Sequence, residues 1–137
     1  MLPMILGMFL MMPPGPGAAP DRSFRVLVNH CRAASQLLDL PSWERATASH
    51  ASLAVEAAYC WGYLLGAADA INNSDFTRGL LCVPDNVTAE ELGKVIVKVA
   101  DQHPDLLHEH MVFGLSFALG FTYPCAKEKA DRSHPDP

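Results

Sequence analysis

Apolar side chains at Phe24, Leu27, Val28, Cys31, Ala34 and Leu38 recur at the spacing of one face of an α-helix. They predict an amphipathic helix over residues 21–38. Pro41 ends it, because proline disfavours helical geometry in the residue before it. Residues 40–49 read as a short polar connection with one helical turn around Trp43. A second helix is predicted over 51–71. Between Ala57 and Ala70 its only charge is Asp69, while Cys60, Trp61, Tyr63, Leu64 and Leu65 point all round the axis. This helix is therefore expected to be central and buried on most sides. Gly62 and Gly66 lie four apart within it. A mid-helix glycine costs roughly 1 kcal/mol relative to alanine, so the pair is expected to let another helix backbone approach closely.

The third helix has the clearest start. Thr88 is a natural N-cap, Glu91 completes a capping box, and Val87 with Leu92 occupy the positions of a hydrophobic staple. Leu92, Val95, Ile96, Val99 and His103 form its apolar stripe; Glu90, Lys94, Lys98 and Asp101 form its wet face; Pro104 stops it. A fourth helix is predicted over 106–121. It begins polar, at His108, Glu109 and His110, becomes apolar on all sides from Met111, and ends at Gly120 and Pro124. No strand pattern appears. The expected fold is all-α, a small four-helix up-down bundle over residues 21–125.

Composition narrows the class. At 137 residues the chain is one domain, and half of it is apolar, enough to bury a real core. The net charge is −5 and the ten basic residues are dispersed, which disfavours nucleic acid as a partner. Residues 1–20 contain no charged side chain. An apolar block at 2–12, too short to span a bilayer, leads into a run of Pro, Gly and Ala ending at Pro20. This is the pattern of an export signal. Residues 126–137 read as a disordered polar tail. An exported protein without stable membrane insertion is expected.

The four cysteines, Cys31, Cys60, Cys82 and Cys125, contain no Cys-x-x-Cys pair. An even, widely spaced set reads as two disulfides. Three connectivities are open. The third and fourth helices, each roughly 20 Å long at 1.5 Å per residue, would return Cys125 to Cys82 if folded back on each other. That hairpin favours Cys31–Cys60 with Cys82–Cys125. Each bond contributes about 3–4 kcal/mol in the loop-closure account.

Candidates for chemistry are few. His108 and His110 are two apart and face different directions on a helix, so they cannot share a metal. His103 and His110 are seven apart on the core face, where a structural role is expected. There is no phosphate-binding glycine loop and no Gly-x-Ser-x-Gly elbow, and disulfide pairing removes every cysteine nucleophile. No catalytic residue, metal or cofactor is expected, and the protein is not read as an enzyme. Asp69, if buried, needs a partner such as Arg78 or the following loop. Trp61 and Tyr63 are assigned to the core.

Four ordered motifs carry a resemblance: Cys60-x-Gly62-Tyr63-x-x-Gly66-x-x-Asp69, Cys82-x-Pro84-x-x-Val87-Thr88, His103-Pro104-x-x-Leu107-His108 and Pro124-Cys125. Together they resemble the Rap/Tai family of immunity proteins over residues 31–125. Glu91 stands where that family often has Gln, and Val99-Ala100 replaces a more usual aromatic–aliphatic pair. The resemblance implies a small, all-helical, disulfide-bonded protein of the bacterial periplasm. It implies binding to a peptidoglycan amidase effector of a type VI secretion system, inhibition by occlusion of a cysteine–histidine active-site cleft, and a homodimer. Gly62, Gly66, Asp69, Pro84, Thr88, Glu91, His103 and Pro104 then have structural roles. Partner contacts are expected on the long connection 72–81, with Phe76, Arg78 and Leu80 as anchors. The alternatives are a periplasmic acid-stress chaperone, an unassigned exported interaction domain, and a metal-binding protein using His103, His108 and His110.

Overall fold

The first helix, α1 (Phe24–Asp39), is the hub of the molecule, packed against every other long helix. Phe24, Leu27, Val28, Cys31, Ala34 and Leu37 form its buried face. The computed structural model describes residues 19–75 and 79–125. Nearly all of the expected leader, the expected tail, and both Phe76 and Arg78 lie outside the described residues.

Five α-helices occur among the described residues where four were expected, and no strand does. The extra element is α2 (Ser42–Arg45), a single turn around Trp43 followed by a 3-10 turn at Ala48–His50. Arg45 fastens this corner by donating from Nη2 to the Leu38 carbonyl at 2.7 Å and from Nε to the Leu40 carbonyl at 2.8 Å. The long helix α3 (Ala51–Asn73) follows and lies along α1.

Helix α3 is not the centre of the fold. Its buried residues are Ala57, Cys60, Leu64 and Ala68, one narrow stripe toward α1. Gly62, Gly66 and Asp69 are exposed, and a Cβ placed on either glycine would meet nothing within 4 Å. No helix among the described residues makes the close approach expected there. Trp61 and Tyr63 are half-buried against the core.

Helix α4 (Ala89–Gln102) starts on the capping box read from the sequence. The Thr88 hydroxyl accepts from the Glu91 N–H at 3.2 Å, and the Glu91 carboxylate accepts from the Thr88 N–H at 2.8 Å. Donation from the Thr88 N–H, and after it from the Thr88 hydroxyl at 3.1 Å, holds the Glu91 carboxyl below the usual carboxylate range. Leu92, Gly93, Ile96, Val99 and Ala100 are buried, while Val95 and His103 are half-buried.

The fourth predicted helix is divided. Residues Pro104–His108 form a 3-10 turn, and α5 (Met111–Thr122) begins only after it. The division is imposed by the start of the chain's first helix. Glu109 accepts at its carbonyl from the Phe24 N–H at 2.8 Å, and the Met111 N–H donates to the Arg22 carbonyl at 2.7 Å. This isolated antiparallel bridge between Ser23 and His110 holds the chain extended where a continuous helix would have run.

Both disulfides are formed, with 5.0 Å between Cα atoms in each. Cys31–Cys60 joins α1 to α3 inside the core. Cys82–Cys125 ties the connection before α4 to the chain just beyond α5.

Candidate interaction surface

Helix α5 contains no charged residue. Met111, Gly114, Leu115, Ala118 and Leu119 are buried. Gly114 sets how closely α5 approaches α1, since a Cβ there would lie 2.3 Å from Cγ of the fully buried Phe24. The other half of the helix faces outward and is mostly apolar, with only Ser116 and Thr122 polar. Val112 is 55% exposed, Phe113 56%, Phe117 39% and Phe121 62%. Phe113, Phe117 and Phe121 recur every four residues and so form one ridge. The Phe117 and Phe121 rings are stacked at 6.2 Å. The His103 ring, at the end of α4, meets both edge-on at 5.4 and 5.9 Å.

Beside the ridge, α3 and α5 stand apart and leave an open groove of about 590 Å³. Gly62, Gly66 and Ala70 line it from α3, and Val112, Leu115 and Ser116 from α5. Small residues on one wall make it wide enough to receive a side chain or helix from outside. Tyr63 also lines it, and burial pushes its phenol up from the ordinary tyrosine value. Nearby, His30 Nδ1 on α1 meets the Glu56 carboxylate on α3, and the His30 ring lies 4.1 Å from that of Tyr59. These contacts fix α3 relative to α1, and hence the groove wall.

The residues singled out in the sequence are dispersed. Gly62 and Gly66 line the groove, and His103 supports the phenylalanine ridge. Pro84, Thr88 and Glu91 serve the start of α4, and Pro104 begins the 3-10 turn after it. Asp69 is an exposed residue whose carbonyl accepts from Asn73 Nδ2, so no buried carboxylate has to be neutralised. Leu80 is 66% exposed. His108 is exposed and His110 caps α5 by accepting at Nδ1 from the Val112 N–H at 3.3 Å. Among the described residues, no group of three His, Cys, Asp or Glu is placed to hold a metal ion. No helix among them is long and apolar enough to cross a membrane.

The sequence reading missed Val112, Phe113, Phe117 and Phe121 as surface residues. The available signal was twelve consecutive uncharged positions on a helix with only one face against the core.

No curated protein and no solved structure matches the chain. A family model, that of the Rap1a immunity proteins, matches residues 24–125, from the first residue of α1 to the second cysteine of the Cys82–Cys125 bond. That span contains every helix among the described residues, both disulfides and the exposed ridge, and the chain belongs to the family of Rap1a immunity proteins.

Proposed function

We propose that the protein neutralises a peptidoglycan amidase effector of a type VI secretion system in the bacterial periplasm, by binding rather than by chemistry. Membership of an immunity family supports a cognate effector as the partner. Two disulfides in so small a domain support an oxidising compartment. The effector is met by the connection between α3 and α4, where Leu80 projects into solvent, and access to the amidase cleft is blocked by occlusion.

The observation that carries a binding role is α5, whose outward face joins three phenylalanines and a valine without a charge. Contiguous exposed apolar surface of this kind marks an interaction site. A second copy of the chain suits it. Two molecules of net charge −5 repel each other, and an uncharged helix lets them meet without opposing like charges.

The decisive experiment is sacculus hydrolysis by a cysteine–histidine peptidoglycan amidase of the same bacterium, with and without the protein. Full inhibition at equimolar protein is expected, with a sub-micromolar Kd. Leu80→Asp should weaken the inhibition and leave self-association intact, whereas Phe113→Asp with Phe117→Asp should abolish self-association. Unimpeded hydrolysis with saturating protein would refute the proposal.

A further inference from the structure

The two disulfides sit in opposite environments. Cys31 and Cys60 are both completely buried. Gly93 of α4 lies over the Cys60 sulfur, since a Cβ built there would come within 3.5 Å of it. Cys82, by contrast, is exposed and borders an open hollow beside Gly79 and Asp85, although its partner Cys125 is 5% exposed. Thiol–disulfide exchange requires an attacking thiolate to reach a sulfur. Cys82 offers that approach, and the bond between α1 and α3 does not.

We infer that Cys82–Cys125 is a redox-controlled lock that holds residues 79–83 on the end of α5, while Cys31–Cys60 keeps the bundle folded whether the lock is open or closed. The reductant is a dithiol. One thiolate attacks the Cys82 sulfur, the S–S bond breaks, and Cys125 leaves as a thiolate and takes up a proton. The second thiolate of the reductant then attacks its own sulfur in the mixed disulfide and releases Cys82. Two electrons and two protons pass to the protein, and the reductant ends as a disulfide.

Among the described residues, little else secures the segment to α5. The Cys82 N–H donates to the Tyr123 carbonyl at 3.1 Å, and the Leu81 side chain lies over Gly120. The Asn72 side chain donates to the Val83 carbonyl at 3.0 Å, anchoring the far end of the segment to α3. Opening the bond therefore frees residues 79–82 from α5 and leaves Val83 and α4 in place. If the connection meets the effector as proposed above, its loss of preorganisation lowers affinity by roughly tenfold.

The test is graded reduction of the native full chain with dithiothreitol, quenched by alkylation and read by peptide mass spectrometry. Cys82 and Cys125 should label faster than Cys31 and Cys60 by on the order of a hundredfold or more, with the far-ultraviolet circular dichroism unchanged. Simultaneous labelling of all four, earlier labelling of Cys31 and Cys60, or loss of helicity as Cys82–Cys125 opens would overturn the inference. A Cys82→Ser/Cys125→Ser variant should keep its helicity and be cleaved by protease within residues 79–82. Should that variant fail to fold, the order of alkylation in the native chain still decides. Labelling order is independent of the effector, so a protein with the predicted order and no inhibition would refute the immunity proposal alone.

Discussion

Helices α4 and α5 are of similar length, 14 and 12 residues, and both rest on α1, yet their outer faces differ completely. The outward positions of α4 include Glu90, Lys94, Lys98 and Asp101, all exposed. Its apolar stripe is satisfied by the core and its outer face is charged, with Asp101 accepting from Arg32 of α1 at 2.7 Å, so α4 is complete within one chain. Helix α5 also buries one stripe, but its outward positions Val112, Phe113, Phe117 and Phe121 are as apolar as the buried ones. Fully burying a phenylalanine is worth about 1.5–3 kcal/mol, a gain this fold leaves largely unused at Phe113 and Phe121. A helix finished by charge needs no partner, whereas one finished by hydrocarbon is adapted to have one.

The contrast can be tested first from the sealed side. Replacing Cys31 and Cys60 together by Ala should cost about 4 kcal/mol and lower the urea midpoint, because this bond sits in the layer on which both helices depend. Next comes the seat of α5. Gly114→Ala drives a methyl into Phe24, which is fully buried and has no free space to move into. Overpacking of this kind costs about 1–3 kcal/mol, measurable as a fall in Tm. The ridge should respond in the opposite sense. Val112→Ser with Phe113→Ser is expected to change monomer stability by no more than about 0.5 kcal/mol, yet to weaken association by about 2 kcal/mol, roughly thirtyfold, in sedimentation equilibrium. A large loss of stability with unchanged association would mean that the ridge belongs to the core.

Smaller effects sharpen the picture of α4. Thr88→Ala should cost about 1 kcal/mol through loss of the cap. Glu91 adds a pH dependence of known sign. Its carboxyl is held below the ordinary value by the Thr88 N–H, so its contribution is fully present above the unfolded glutamate value of about 4.3 and is lost as pH falls through the lowered one. Glu91→Gln should flatten the stability profile in that acidic window, as followed by chemical denaturation. The smallest effect is a gain. Gly62→Ala meets open space, so it should stabilise the free monomer by about 0.5–1 kcal/mol. If a partner occupies the groove, the same methyl should weaken its binding.

The local elements were legible because their causes are local. The Thr88–Glu91 box, the stop at Pro104 and the stripe from Phe24 to Ala34 each depend on residues within a turn or two of one another, and all are present. The hairpin reading likewise pointed to the cysteine pairs that the structure contains. The predicted fourth helix failed because its interruption is not local. Glu109 and Met111 exchange hydrogen bonds with Phe24 and Arg22, more than eighty residues earlier, and nothing between 104 and 111 signals that.

The site shows the same division. That α3 and α5 are poor in charge is plain from the residues themselves, and it was natural to place both inside. A helix has a full circumference, but a small domain can cover only part of it. The sequence by itself determined that four long helices form, where α4 is capped and how little polarity α5 carries. Only the tertiary structure decided that α1 takes the central place, that Gly62 and Gly66 face an open groove, and that Phe113, Phe117 and Phe121 remain in water. Exposure is set by which neighbours arrive over each surface, and that count belongs to the whole fold rather than to any segment of the chain.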